Sequence, residues 1–108
     1  MDIESLREYV LQKKWVTEGF PFGEDVLVFK VLNKMFMLLP LNNIPLQFNV
    51  KCDPEEALEL REQYPEAVLP GYHMSKKHWN TILINGVLSN KQMTNMIDES
   101  YQLVGKFK

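Results

Sequence analysis

The 108-residue sequence has a single cysteine, Cys52, and only two arginines, Arg7 and Arg61. One thiol cannot close an intramolecular disulfide, and no CxxC pair exists for metal or redox work. The shortage of arginine weighs against reading of guanine edges, the contact that arginine makes best. The longest apolar run, "MFMLLPL", is far too short to cross a bilayer, so no membrane partner is expected. The opening "MDIESLREYVLQKK" carries charge throughout and lacks the apolar stretch of a secretory signal, so a cytoplasmic location is expected. There are no internal repeats and no linker, and one domain over residues 1–108 is expected.

What is present is enough to build a core. The apolar fraction is 45% with 11% aromatics, which excludes a disordered tail. The net charge of −2 does not advertise a nucleic-acid binder at the level of the whole molecule. The distribution says more, because no acid occurs between Glu66 and Asp98, where Lys76, Lys77 and Lys91 stand. A polarised surface is expected.

The element pattern follows from periodicity and punctuation. Ile3, Leu6 and Val10 give a helical stripe over about 3–14, and Gly19, Pro21 and Gly23 then break the chain. "VLVFKV" and "KMFMLL" read as a hairpin turning at Leu32–Lys34, with Asn33 suited to the turn. "LQFNVK" alternates, with Leu46, Phe48 and Val50 on one side and Gln47, Asn49 and Lys51 on the other. Asp53 as N-cap and Pro54 at N1 start a second helix, which Pro65 limits. "EAVLPGYHM" and "HWNTILI" form two further strands around a turn near Ser75–Lys77. Ser89 with Gln92 caps a last helix, whose inner stripe is Met93, Met96, Ile97, Ser100, Tyr101 and Val104. The order α-βββ-α-ββ-α predicts an α+β fold, an antiparallel sheet with helices mainly on one face.

The blocks "FPFGEDVLVFKVLNKMFMLL", "KCDPEEALELREQYP", "GYHMSKKHWNTI" and "SYQLV" resemble the MmcQ/YjbR family in order and spacing, over nearly the whole chain. The resemblance implies a two-layer sandwich like that of bacterial frataxin, CyaY, with a twisted antiparallel sheet. It also implies the DNA-binding label that the family carries, which rests on two β-hairpins shaped like a double wing. Here the wings would turn at Leu32–Lys34 and at Ser75–Lys77.

The candidate residues follow from those tips. Phosphate contacts need flexible cations that can reach a backbone. Lys34, Lys76, Lys77 and Lys51 supply them, with His78 and Trp79 beside the second tip and Lys30 and Lys91 as flanks. Trp79 or Tyr72 can stack on a base, or Trp79 can anchor the fold as a half-buried ring. Lysines at hairpin tips also serve solubility alone. A competing expectation is a module for a protein or small anionic ligand, on a sheet face bearing Gln47, Asn49, Lys51, His73, His78 and Trp79. His73 and His78, even with Cys52 and Asp53, show no recognised zinc spacing, so no metal and no cofactor are expected. No nucleophile elbow, phosphate-cradling glycine loop or carboxylate pair is visible, so no enzyme is expected.

Overall fold

The computed structural model describes residues 1–71 and 74–107. Helix α1 (Ile3–Leu11) begins at a capping box: the Ser5 N–H donates to the Asp2 side chain at 2.8 Å, and the Ser5 hydroxyl accepts from Asp2 N–H at 3.0 Å. It buries Leu6 and Val10. The helix stops three residues before the predicted Lys14, and Trp15, at φ 63°, turns the chain into a short strand β1 (Val16–Gly19).

Strand β1 has no sequence signal of its own. Its four residues do not alternate apolar with polar, and it owes its existence to pairing with β2 (Val26–Val31). Strand β2 returns as β3 (Lys34–Pro40) through a two-residue turn with Leu32 and Asn33 at φ 50° and 67°. Two successive positive φ values are the signature of a tight hairpin turn matched to strand twist. Strand β4 (Gln47–Lys51), helix α2 (Pro54–Gln63), β5 (Val68–Pro70), β6 (Trp79–Leu83) and α3 (Asn90–Gly105) complete the chain. The Asp53 side chain accepts from Glu55 and Glu56, and Ser89 and Gln92 cap each other as predicted.

The six strands lie in the order β1-β2-β3-β4-β6-β5, every neighbouring pair antiparallel. Helix α2 carries the chain past β6 to the far edge. Alternation along the strands sorts the two faces. Leu27, Phe29, Val31, Phe36, Met37, Leu39, Phe48, Val50 and Ile82 meet α1 and α3 in the main core. Every residue of the predicted α3 stripe is buried. Phe36 meets Tyr101 edge to face at 5.5 Å, a favoured aromatic geometry.

The opposite face has a smaller apolar cluster of Val28, Leu38 and Trp79, with Val26, Met35 and Met74 against it. A bulge in β3 helps to populate both faces. Phe29 pairs with Met37 but Lys30 pairs with Met35, so Phe36 is an extra residue and both Phe36 and Met37 face the core.

Candidate lysine cleft and the open sheet face

The strand face away from the helices presents Lys30 on β2 and Lys51 on β4, and no carboxylate. Ten of the fourteen acids sit on or cap the helices: Asp2, Glu4 and Glu8 at α1, Asp53, Glu55, Glu56, Glu59 and Glu62 at α2, and Asp98 and Glu99 on α3. Glu18 lies on β1, Glu24 and Asp25 precede β2 and Glu66 precedes β5. Of the acid-free segment's lysines, Lys76 and Lys77 precede β6 and Lys91 lies on α3, so that segment is not itself one surface.

At the end of this face, a cleft of about 710 Å³ opens between the β2–β3 turn and the last turn of α3. Lys30, Lys34, Lys51 and Lys106 line it, and no Asp or Glu does. Its apolar wall is Phe22, Met35, Trp79, Leu103 and Val104. Phe22 is 63% exposed and Leu103 43%, so both show apolar surface that the core does not use. Among the described residues, none of the four lysines is in an ion pair. Glu18 lines a neighbouring hollow and is held by Arg7, whose Nε donates to it at 2.7 Å. That bond keeps the Glu18 carboxyl below its usual range.

Backbone features fix the cleft walls. The Ser100 hydroxyl, fully buried, accepts from Lys51 N–H at 2.9 Å and donates to Phe36 C=O at 2.6 Å. A side chain from α3 thus bridges β3 and β4 at the bulge, beside the two residues that send Met35 and Lys51 to the open face. On the other wall, Lys106 adopts a left-handed C-cap, its N–H donating to Gln102 C=O at 2.8 Å.

The predicted site residues divide among different surroundings. Lys34, Lys51 and Trp79 line the cleft. Lys76 and Lys77 are exposed in the β5–β6 connection, and Lys76 lines a second hollow with Gln47, Leu69, Pro70 and Thr81. Asn49 is 6% exposed and accepts from the Thr81 hydroxyl at 2.5 Å, so it belongs to the interior of the face. Of the two expectations for Trp79, the anchor describes it: at 8% exposure, little ring surface is left for a base to stack on. His78 is half-buried and does not line the cleft; its carbonyl accepts from Cys52 N–H at 2.7 Å. Tyr72 and His73 lie outside the described residues. Among the described residues, Lys51 lines the cleft and Gln47 the second hollow.

Residues 74–78, just before β6, are folded back onto the sheet. Met74 packs on the Val28–Leu38–Trp79 cluster, and His78 and Trp79 N–H both donate to Ser75 C=O. Arg61 holds this segment from the helical side. Its Nε donates to Asn80 Oδ1 at 2.7 Å, and Nη2 donates to the carbonyls of Lys76 and Trp79. Arg61 is thus the internal clamp of this segment. Cys52 is buried, and burial first, then the charges of Glu99 and Glu56, pushes its thiol up to about 11. It is therefore a protonated, unreactive thiol at neutral pH. Among the described residues, no group of three His, Cys, Asp or Glu side chains converges to hold a metal ion, and no helix is long and apolar enough to cross a membrane.

Lys106, Phe22 and Leu103 went unnoticed in the sequence because they come from separate segments that only folding brings together. Lys30 was legible as a flank, since it sits on the same strand face as Val26 and Val28.

A family model for YjbR matches residues 11–103. The chain belongs to the YjbR family. It is 37% identical to YbdF of Escherichia coli O157:H7, covering 96% of this chain and 88% of that one. With YjbR of Escherichia coli K12 the identity is 31%, covering 94% and 86%. The crystal structure of a Deinococcus radiodurans protein with the DUF419 domain superposes with a TM-score of 0.91 at 36% identity, over 99% of this chain and 82% of that one. A Pseudomonas syringae protein superposes with a TM-score of 0.82 at 28% identity, over 96% and 99%. Both Escherichia coli relatives are described as uncharacterised. YjbR membership therefore accounts for the fold, and the activity has to be argued from the cleft and the face beside it.

Proposed function

We propose that this YjbR-family chain is a non-enzymatic DNA-binding protein that holds the phosphate backbone with little sequence specificity. The observation that carries the reading is the acid-free sheet face. Lys30, Lys34, Lys51 and Lys106 gather at one end of it, and Lys76 lines a hollow at its β5 side. The β2–β3 hairpin acts as one wing and the segment around Lys76 and Lys77 as the other. Lysines act as point charges toward phosphate and do not read base edges in the bidentate manner of arginine. Both arginines are already engaged, Arg7 by Glu18 and Arg61 by Asn80, so neither supplies base readout. With a net charge of −2 the binding is weak and sensitive to salt.

The test is a titration of duplex and single-stranded DNA at two salt concentrations, with Lys34→Ala/Lys51→Ala and Lys76→Ala/Lys77→Ala proteins alongside. Each double variant should flatten the slope of log affinity against log salt by roughly one to two, since each phosphate contact contributes about 0.7–0.9. Absence of binding at low salt, or equal slopes in all three proteins, would overturn the reading.

A further inference from the structure

We infer that the lysine cleft is, in its own right, a binding site for a small organic anion that combines several negative charges with a flat apolar body, the chemistry of a nucleoside polyphosphate. The four ammonium groups lining the cleft face no carboxylate among the lining residues. Like charges gathered around one hollow repel one another, and a multiply charged anion relieves that repulsion while a monovalent one does so only in part. Inorganic phosphate satisfies the lysines alone. Phe22, Met35, Trp79, Leu103 and Val104, which line the same cleft, need a partner of different chemistry. Phe22 and Leu103 line the cleft and are exposed, and a planar ring lying against them removes apolar surface from water.

Size and rigidity agree with this assignment. The cleft, at about 710 Å³, lies within the range of about 300–1,000 Å³ that small-molecule sites occupy. The backbone of its walls is held by local contacts: the Leu32–Asn33 turn by its paired positive φ angles, the Lys51 N–H by Ser100, and the Lys106 N–H by Gln102 C=O. A preformed site loses less conformational freedom on binding. The inference does not depend on the DNA reading. It needs no contribution from Lys76 or Lys77, which do not line the cleft.

The experiment is calorimetric titration of the full chain with ATP, inorganic pyrophosphate and adenosine, with amide chemical shifts to locate each. ATP should bind and move amides of Lys30, Lys34, Lys51 and Leu103. Pyrophosphate should bind about tenfold more weakly, because it cannot use the apolar wall. Adenosine, without charge, should not bind measurably. Lys34→Ala/Lys106→Ala should weaken ATP by about tenfold or more, and Phe22→Ser should shrink the advantage of ATP over pyrophosphate. The exposed Lys91→Ala protein should behave as the parent does. Circular dichroism spectra matching the parent's would show that the variants are folded, and Lys51→Ala is the substitute if the double variant is not. No ATP binding, equal affinity for ATP and pyrophosphate, or ATP binding unchanged by the cleft substitutions would overturn the inference. DNA binding without ATP binding would leave the DNA reading standing and this one fallen; the converse would do the reverse.

Discussion

The Ser100 hydroxyl accepts the backbone N–H of Lys51 at 2.9 Å across a strand–helix boundary, and the same hydroxyl donates to the Phe36 carbonyl. The bulge at Phe36 leaves these two backbone groups apart, and Ser100 satisfies both. Ser100→Ala would strand a buried donor and a buried acceptor. The expected loss is about 1–3 kcal/mol of stability, read as a lower urea midpoint with the slope unchanged. The ligand affinity of the cleft should fall too, because the Lys51 backbone loses its anchor. A variant as stable as the parent would show that the bridge contributes nothing.

Arg61 is the second place where one side chain organises the site without lining it. Its three acceptors, Asn80 Oδ1 and the carbonyls of Lys76 and Trp79, belong to two different roles, the strand and the connection before it. Arg61→Ala should accelerate amide exchange at Trp79 and Asn80 and lower the melting temperature. Arg61→Lys should not restore either, since an ammonium cannot reproduce the forked donor geometry. Full rescue by lysine would reduce the clamp to a simple charge effect.

Gly71 is required by the closeness of Trp79. A Cβ at Gly71 would lie 2.7 Å from Trp79 Cβ and 3.0 Å from Trp79 carbonyl oxygen, while the Gly71 N–H donates to that oxygen at 2.9 Å. The obstructing atoms are backbone and a Cβ, which cannot swing aside. Gly71→Ala should cost about 1–3 kcal/mol, and it should disturb the Val28–Leu38–Trp79 cluster, visible as altered tryptophan fluorescence. A neutral effect on stability would mean that β5 and β6 separate at little cost.

Glu99 gives a pH-dependent prediction. Desolvation first, then the charges of Glu56 and Asp98, raises its carboxyl above the usual range. A carboxyl raised in the folded state binds its proton more tightly there than in the unfolded chain. Its contribution is therefore most favourable below the unfolded value and is lost as pH rises through the folded value. At neutral pH, above the unfolded value, Glu99 is therefore a destabilising group. Glu99→Gln should raise the melting temperature at pH 7 and have little effect at pH 3.5. The same shift at both pH values would point to packing, not charge.

Local chemistry made much of the fold readable. The capping pairs Asp53–Pro54 and Ser89–Gln92, the Leu32–Asn33 turn, and the apolar stripes of α1 and α3 each act within a few residues of the chain, so sequence spacing is enough to reveal them. The candidate site was legible only in pieces. Lys34 and Lys51 were recognisable as cations on a hairpin tip and a wet strand face. Nothing local signals that Lys106 from the last helix turn joins them, or that Phe22 from a broken loop and Leu103 line the same cleft.

The limits of sequence reasoning have a common physical cause. Strand β1 lacks alternation and exists because β2 offers it a ladder. Phe36 and Met37, adjacent in sequence, share the core face because a bulge breaks the period of two. Trp79 becomes an anchor because it is buried with Val28 and Leu38, and Arg61 becomes a clamp because α2 brings it within reach of Asn80 and the Trp79 carbonyl. The sequence by itself determined the caps, turns, stripes, membership of the YjbR family and the separation of acids from the lysine-rich segment. Only the tertiary structure decided which lysines meet, since a cleft is made by surfaces distant in the chain, and its charge depends on which carboxylates the packing holds away.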